Sequence, residues 1–231
     1  AYFTTPTPGR ANTGGVELLG PILNDIGHTP TVARTTEALV VTTRVARTLS
    51  PVASVRLRYL VQFGGEVELP MLDDGTHGDG AAGDGVFGAL IPAGVAQPGQ
   101  MIRYFIQAAD NAGSSSRDPL YLSPLDSEKY HGTVVTNPAV TSQLPIVELF
   151  VPPASVGAID GESGGRVAVF FDGELYDNVL MEVRGNTTAG CNKKSHRLEF
   201  PRDHRLRHPG PGGRLRRTSF MADYADPSML R

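Results

Sequence analysis

Apolar residues in this chain recur at every second position in short runs, and Gly, Pro or Asp closes each run. Val55, Leu57, Tyr59 and Val61 alternate with Arg56, Arg58 and Leu60. That spacing predicts a strand with one buried face and one mostly polar face. Comparable runs lie at 38–45, 55–63, 65–72, 86–91, 101–109 and 130–135. Strands this short, broken this regularly, predict a small antiparallel sandwich over residues 28–136.

The pattern resumes after N-P-A-V-T-S-Q at 137–143, which reads as a linker. Residues 144–151 predict a strand stopped by Pro152-Pro153, and Pro153 with 154–159 predicts a short helix carrying Pro at an early position. The runs 166–171 and 175–184 are joined through Asp172-Gly173, a strong signal for a tight hairpin. Val179, Met181 and Val183 share one face. A further strand opens on Lys193-Lys194 and runs through Leu198 to Phe200. Residues 201–218 predict a basic loop interrupted by Gly and Pro. Asp226-Pro227-Ser228 then predicts a helix start, with Asp226 at the N-cap.

Composition agrees with a chain dominated by β structure. There are 27 Gly, 18 Pro and no Trp, and hydrophobic residues make up 40%, enough for a packed core. No apolar run is long enough to cross a membrane as a helix, and the opening Ala-Tyr-Phe reads as mid-protein sequence. The single cysteine, Cys191, excludes an internal disulfide framework and a cysteine-based zinc site, and reads as a bystander. The net charge of −3 hides a split: from Arg184 onward 11 Lys/Arg face 4 Asp/Glu, giving +7, so the earlier residues carry −10. Such asymmetry predicts two modules with different surroundings.

Two stretches carry candidate chemistry. In D-D-G-T-H-G-D-G-A-A-G-D-G, residues 73–85, four carboxylates (Asp73, Asp74, Asp79, Asp84) are interleaved with glycine. They are candidates to gather around Ca²⁺, which takes six to eight oxygen ligands. The spacing is not that of an EF-hand loop, and the alternative is a long hairpin whose Asp side chains cap turns. The second stretch is V-L-M-E-V-R-G-N-T-T-A-G-C-N-K-K-S-H-R-L-E-F, residues 179–200. Two lysines at the mouth of a strand, facing a Gly/Asn/Thr loop, suit a phosphate-rich ligand, with loop N–H groups adding to the ammonium charge. Basic residues at a strand start also serve solubility alone. Asn186-Thr187-Thr188 is formally a glycosylation acceptor. The six arginines of 201–218 lack an aromatic for base stacking, so a solvated loop or an acidic partner suits them better than nucleic acid.

Several blocks resemble known families. R-Y-F-I-Q-A-A-D-N-A-G at 103–113 resembles the late strand and turn of fibronectin-III or immunoglobulin-like domains. The Asp/Gly loop resembles one that recurs in bacterial Ig-like modules, which favours its turn-capping reading. Y-F-T-T-P-T-P-G-R-A-N, within residues 1–27, is similar to the closing sequence of lamin-tail-like or lectin-like modules, so this segment reads as the exit from a preceding module. R-G-N-T-T at 184–188, K-K-S-H-R-L-E-F at 193–200 and S-F-M-A-D-Y-A-D-P-S-M-L-R at 219–231 together resemble the N-terminal part of the spore-coat-protein-H (CotH) kinase family. L-P-I-V-E-L-F-V-P at 144–152 and F-F-D-G-E-L-Y-D-N-V at 170–179 match that family's opening strands in kind and order.

The resemblance implies a mostly β chain: an Ig-like β-sandwich followed by the truncated N-terminal sheet of an α+β atypical kinase-like domain over 144–231. It implies a secreted or surface-displayed protein that uses ATP and Mg²⁺ to phosphorylate hydroxyls of a protein substrate. Such chemistry rests on positioning and charge neutralisation. Lys193 or Lys194 would meet the ATP phosphates, alternation turning only one of them inward, with Lys194 favoured. Arg184 would brace the loop or touch phosphate. His196 departs from the family's aromatic residue, and 201–218 is richer in Arg and Pro than the family pattern. No catalytic-loop or metal-binding Asp motif is present, Asp223 and Asp226 belonging to the helix entry, so the fragment is expected to be inactive alone. The alternative from another class is a non-catalytic adhesion or carbohydrate-associated surface protein; the lack of Trp counts against the carbohydrate-associated form alone.

Overall fold

The computed structural model describes residues 9–10, 19–185, 194–207 and 213–220, and every regular element in them except one single turn is a β-strand. The first module holds β1 (Ile22–Thr29), β2 (Leu39–Ala46), β3 (Val52–Val61), β4 (Val67–Pro70), β5 (Val86–Ile91), β6 (Met101–Asp110), β7 (Ser115–Asp118) and β8 (His131–Val134). They form two antiparallel sheets. One has the order β1-β2-β5; the other has the order β4-β3-β6-β7, with β8 also pairing β6. Ladder positions divide that edge of β6: Met101–Tyr104 meet β8 and Ile106–Ala109 meet β7.

The sandwich core follows from the alternation. Leu39, Val41 and Val45 of β2 and Ala89 and Ile91 of β5 face Val55, Leu57 and Tyr59 of β3 and Ile102, Tyr104, Ile106 and Ala108 of β6. On the outer face Arg56 and Arg58 of β3 pair with Glu66 and Glu68 at β4. The polar side of this sheet is nevertheless not all solvated. Leu60 is buried with Phe105 and Tyr130, and β6 carries almost no exposed position, because further chain covers this face.

The second module is the five-stranded antiparallel sheet β15-β12-β11-β10-β9. Its strands are β9 (Val147–Phe150), β10 (Gly165–Phe171), β11 (Glu174–Arg184), β12 (Ser195–Glu199) and β15 (Arg217–Phe220). The short ladder β13 (Leu206–Arg207) with β14 (Arg214–Leu215) lies between β12 and β15. Asp172 and Gly173 link β10 to β11 with φ of 51° and 81°, the doubly positive pair that a tight hairpin twisted like its strands requires.

The two faces of this sheet have different duties. Phe150, Ala168, Phe170 and Leu175 pack on Met101 and Val134 of the first module. Val167, Val169, Tyr176, Val179, Met181, Leu198 and Phe200 form a separate cluster on the opposite face. The modules therefore share a core. At its centre Arg103 of β6 donates from Nη1 to Asp177 Oδ1 of β11 at 2.9 Å, both residues being buried. Gly132 makes the approach possible: a Cβ there would lie 2.3 Å from the Ile102 carbonyl oxygen and 2.6 Å from Leu175 Cδ2.

Several expectations change. β1 starts at Ile22, inside the segment read as a linker, and β7 was not anticipated. The α-helical part of the expected α+β module is not seen among the described residues, where 154–159 yields only a 3-10 turn at Pro153–Ser155. The helix start at Asp226 lies outside the described residues. Residues 201–207 and 213–218 follow the acidic-partner reading rather than the solvated one: acidic side chains of both modules neutralise four of the arginines. Arg202 and Arg216 meet Asp126, Arg216 and Arg217 meet Glu199, and Arg214 meets Glu174. The charge split along the sequence is thus partly a complementarity across the module junction.

Candidate functional site

The candidate phosphate site lies at the free end of β12. Residues 186–193, and with them Lys193, Cys191 and the Asn186 acceptor, lie outside the described residues. Lys194 is described, directly before β12. Strand alternation puts Lys194, His196 and Leu198 on one face, and the register aligns His196 with Val183 and Leu198 with Met181. This is the face turned away from the Ig-like module. Arg184 is aligned with Ser195 and is exposed, so alternation places it on the opposite face from Lys194. The structure does not bring these two cations to one spot.

Asp160 organises the lysine. Lys194 Nζ donates to the Asp160 carbonyl oxygen at 3.3 Å and lies 3.8 Å from its carboxylate, while His196 Nε2 lies 3.2 Å from Asp160 Oδ1. The Lys194 side chain is about three-quarters covered, at 24% exposure, so the ammonium group is held at the rim of the sheet. Gly165 lets Ser155 and Ile159 close over the start of β10, since a Cβ there would fall 2.9 Å from Ser155 Cβ. On the same face as Lys194, Val169, Phe171, Leu198, Phe200 and Leu206 line a groove of about 210 Å³, and Val147 and Phe220 at its border are partly exposed. One face of the sheet therefore carries both an apolar groove and, outside the groove's lining, a fixed ammonium group.

The Asp/Gly loop shows a different use of charge. Asp79 accepts from the backbone N–H groups of Asp74, Gly75 and His77 at 2.7–2.9 Å. Asp73 accepts from those of Gly83, Asp84 and Gly85, and Asp84 from those of Ala81 and Val86. Asp74 binds Thr76 and His77, whose hydrogen bonds hold its carboxyl at about 2. The N–H of Gly75 leads the groups that lower Asp79, which is enclosed by its own loop rather than by the core. Each carboxylate closes a turn in place of converging on a common point. Among the described residues no group of three or more His, Cys, Asp or Glu side chains is placed to hold a metal ion.

A third constellation was missing from the sequence reading. His204, just after β12, donates into two carboxylates: Nδ1 lies 2.6 Å from Glu128 Oε1 of the first module and Nε2 lies 2.7 Å from Glu174 Oε1 of β11. Burial works against the charged ring, but the two carboxylates outweigh it and raise the pKa to about 9. Glu174, despite its own burial, is held at about 2 by His204, Tyr176 and Arg214. His131 lies 2.7 Å from Asp118 and 3.7 Å from Glu128, which extends the network. No local motif announces it, since Glu128, Glu174 and His204 stand far apart in the sequence.

The sandwich topology and the alternating core point to one kind of module, in which the Asp/Gly loop crosses from one sheet to the other in place of the expected hairpin. Residues 24–114 match the second Ig-like domain of conditioned medium factor. The Ig-like assignment of the first module thus stands on both geometry and sequence, and the matched span stops short of the second sheet. No curated protein matches the chain. No helix among the described residues is long and apolar enough to cross a membrane.

Proposed function

We propose that the sheet over 144–220 is the opening layer of a CotH-type kinase-like lobe, and that the Ig-like module is its rigid support in an extracellular or surface-displayed multidomain protein. The observation that carries this reading is the placement of Lys194. Its ammonium group is fixed at the edge of the face that also bears the apolar groove, opposite the face packed on the Ig-like module. A nucleotide needs both elements, an apolar surface for its base and a cation for its phosphates. Asp160 orients the lysine in the free state and would yield to a phosphate oxygen. Lys193 is the neighbouring candidate, and Arg184 on the other face takes the bracing role.

Among the described residues no group of three or more His, Cys, Asp or Glu is placed to hold Mg²⁺, so on this reading the metal and the catalytic carboxylates lie outside them. What this chain contributes is orientation of the nucleotide and exclusion of water from its base. The test is ATP binding and Mg²⁺-dependent turnover by the full-length parent carrying Lys194→Ala, with Lys194→Arg beside it. Losing one charge-assisted phosphate contact, about 1.5–3 kcal/mol, weakens ATP affinity roughly 10- to 100-fold. A parent that turns over ATP equally well with Lys194→Ala refutes the assignment.

A further inference from the structure

A second cavity, of about 460 Å³, opens at the junction between the modules. Its walls come from both. Phe63, Arg103 and Tyr130 belong to the Ig-like module, and Arg166 and Asp177 to the second sheet. Tyr121 and Lys129, from the segment linking β7 to β8, complete it, and the exposed Gly64 and Pro124 form part of its rim.

The charge inside is unbalanced. Asp177 is the only carboxylate among the lining residues, and it is already bound by Arg103 at 2.9 Å. The Arg103 guanidinium is occupied on its faces too, 4.9 Å from the Phe63 ring and 4.9 Å from the Tyr130 ring. Lys129 and Arg166 remain. Among the described residues neither makes an ion pair: Arg166 donates only to the Asn178 carbonyl oxygen at 3.1 Å, and Lys129 Nζ lies over Tyr121 and Tyr130 at 5.7 and 5.1 Å. Many other arginines of the chain have found a carboxylate. Two cations without a salt bridge, each feeling carboxylates only at longer range (Lys129 that of Asp177, Arg166 those of Asp126 and Glu199), share a half-enclosed cavity with aromatic rings and so form a receptor for an anion attached to a ring. The aromatic walls take the flat or C–H face of the ring, and the cations take the oxyanion.

We infer that this junction cavity binds a small ring-borne carboxylate, its oxyanion held by Lys129 and Arg166 and its ring set against Tyr121 and Tyr130. Nothing in this depends on the kinase-like reading, because the cavity lies on the module-facing side of the sheet and Lys194 on the other. Two sources carry this chemistry, acidic sugars and aromatic acids, and two probes separate them. Ligand-observed NMR titration of the whole chain with glucuronate and with benzoate, using glucose as the uncharged control, reads the site directly.

One of the acids is expected to bind with a Kd of about 1 mM. That affinity should fall at least about fivefold in Lys129→Met and in Arg166→Met, and also in the unmodified protein when NaCl is raised to about 0.5 M. Lys129→Arg should retain it. The acid that binds identifies the ring type. The salt series keeps the test valid if a variant fails to fold. Absence of binding by both acids at about 20 mM, equal binding of glucose, or an affinity indifferent to salt overturns the inference.

Discussion

Replacing His204 by Ala tests how much the junction depends on one charged ring. The imidazole sits between Glu128 and Glu174 with its side chain 17% exposed, and the partners' side chains are 8% and 24% exposed. Its pKa is about 9 in the folded chain against an ordinary 6.5. A shift of that size corresponds to roughly 3 kcal/mol of preference for the folded state by the charged ring. The sign follows from its direction. A raised pKa stabilises in full below pH 6.5, and the stabilisation fades as pH climbs through 9. Glu174 behaves oppositely: it is lowered from 4.5 to about 2, so its contribution is present above pH 4.5 and disappears as pH falls toward 2. The junction should be firmest between pH 4.5 and 6.5. Thermal unfolding of wild type and His204→Ala at pH 6 should differ by about 6–12 °C for a chain of this size. At pH 9.5 the gap should shrink to the small packing loss against Tyr176. An equal gap at both pH values would show that the ring acts by shape alone.

Three further outcomes follow. Asp177→Ala should cost about 3–5 kcal/mol in chemical denaturation by leaving Arg103 buried without its partner, and Arg103→Met with Asp177→Leu should recover most of that. A double variant no better than Asp177→Ala contradicts this. Gly132→Ala should destabilise the chain by about 1–3 kcal/mol, since the added methyl group meets backbone as well as Leu175; an unchanged melting temperature would mean the junction can open to admit it. Asp79→Ala should speed hydrogen exchange at the amides of Gly75 and His77, while Ca²⁺ at about 1 mM leaves the wild-type melting temperature unmoved. A rise in melting temperature with Ca²⁺ would instead favour the metal reading of that loop.

The sandwich was legible because alternation is a local property. Val55, Leu57 and Tyr59 declare their face without help from other strands, and Asp172-Gly173 declares its hairpin. β1 was hidden because its run is broken where register slips between Asn24 and Gly27 and Asp25 takes φ of 50°, so period two fails. β7, Ser-Ser-Arg-Asp, has no apolar residue to alternate. The surroundings of Lys194 were not legible: Asp160, 34 residues upstream, cannot be paired with it by spacing. Of the two readings of the basic loop, solvation or an acidic partner, spacing could not choose: four of its six arginines are neutralised by Asp126, Glu174 and Glu199, which arrive from other elements. Burial of Met101 and Arg103 on the outer face of β6 likewise depends on the second sheet.

The shared core at the junction has a mechanical consequence. Met101, Val134, Phe150, Phe170 and Leu175 belong to one hydrophobic cluster assembled from two segments of sequence, and residues 137–143 only tether what that cluster already welds. A protease cut in the tether should therefore leave the halves attached, and either half produced alone would present a raw apolar plate to water. The Ig-like module is better regarded as a foundation than as a hinge. The orientation of the second sheet is set by the sandwich beneath it.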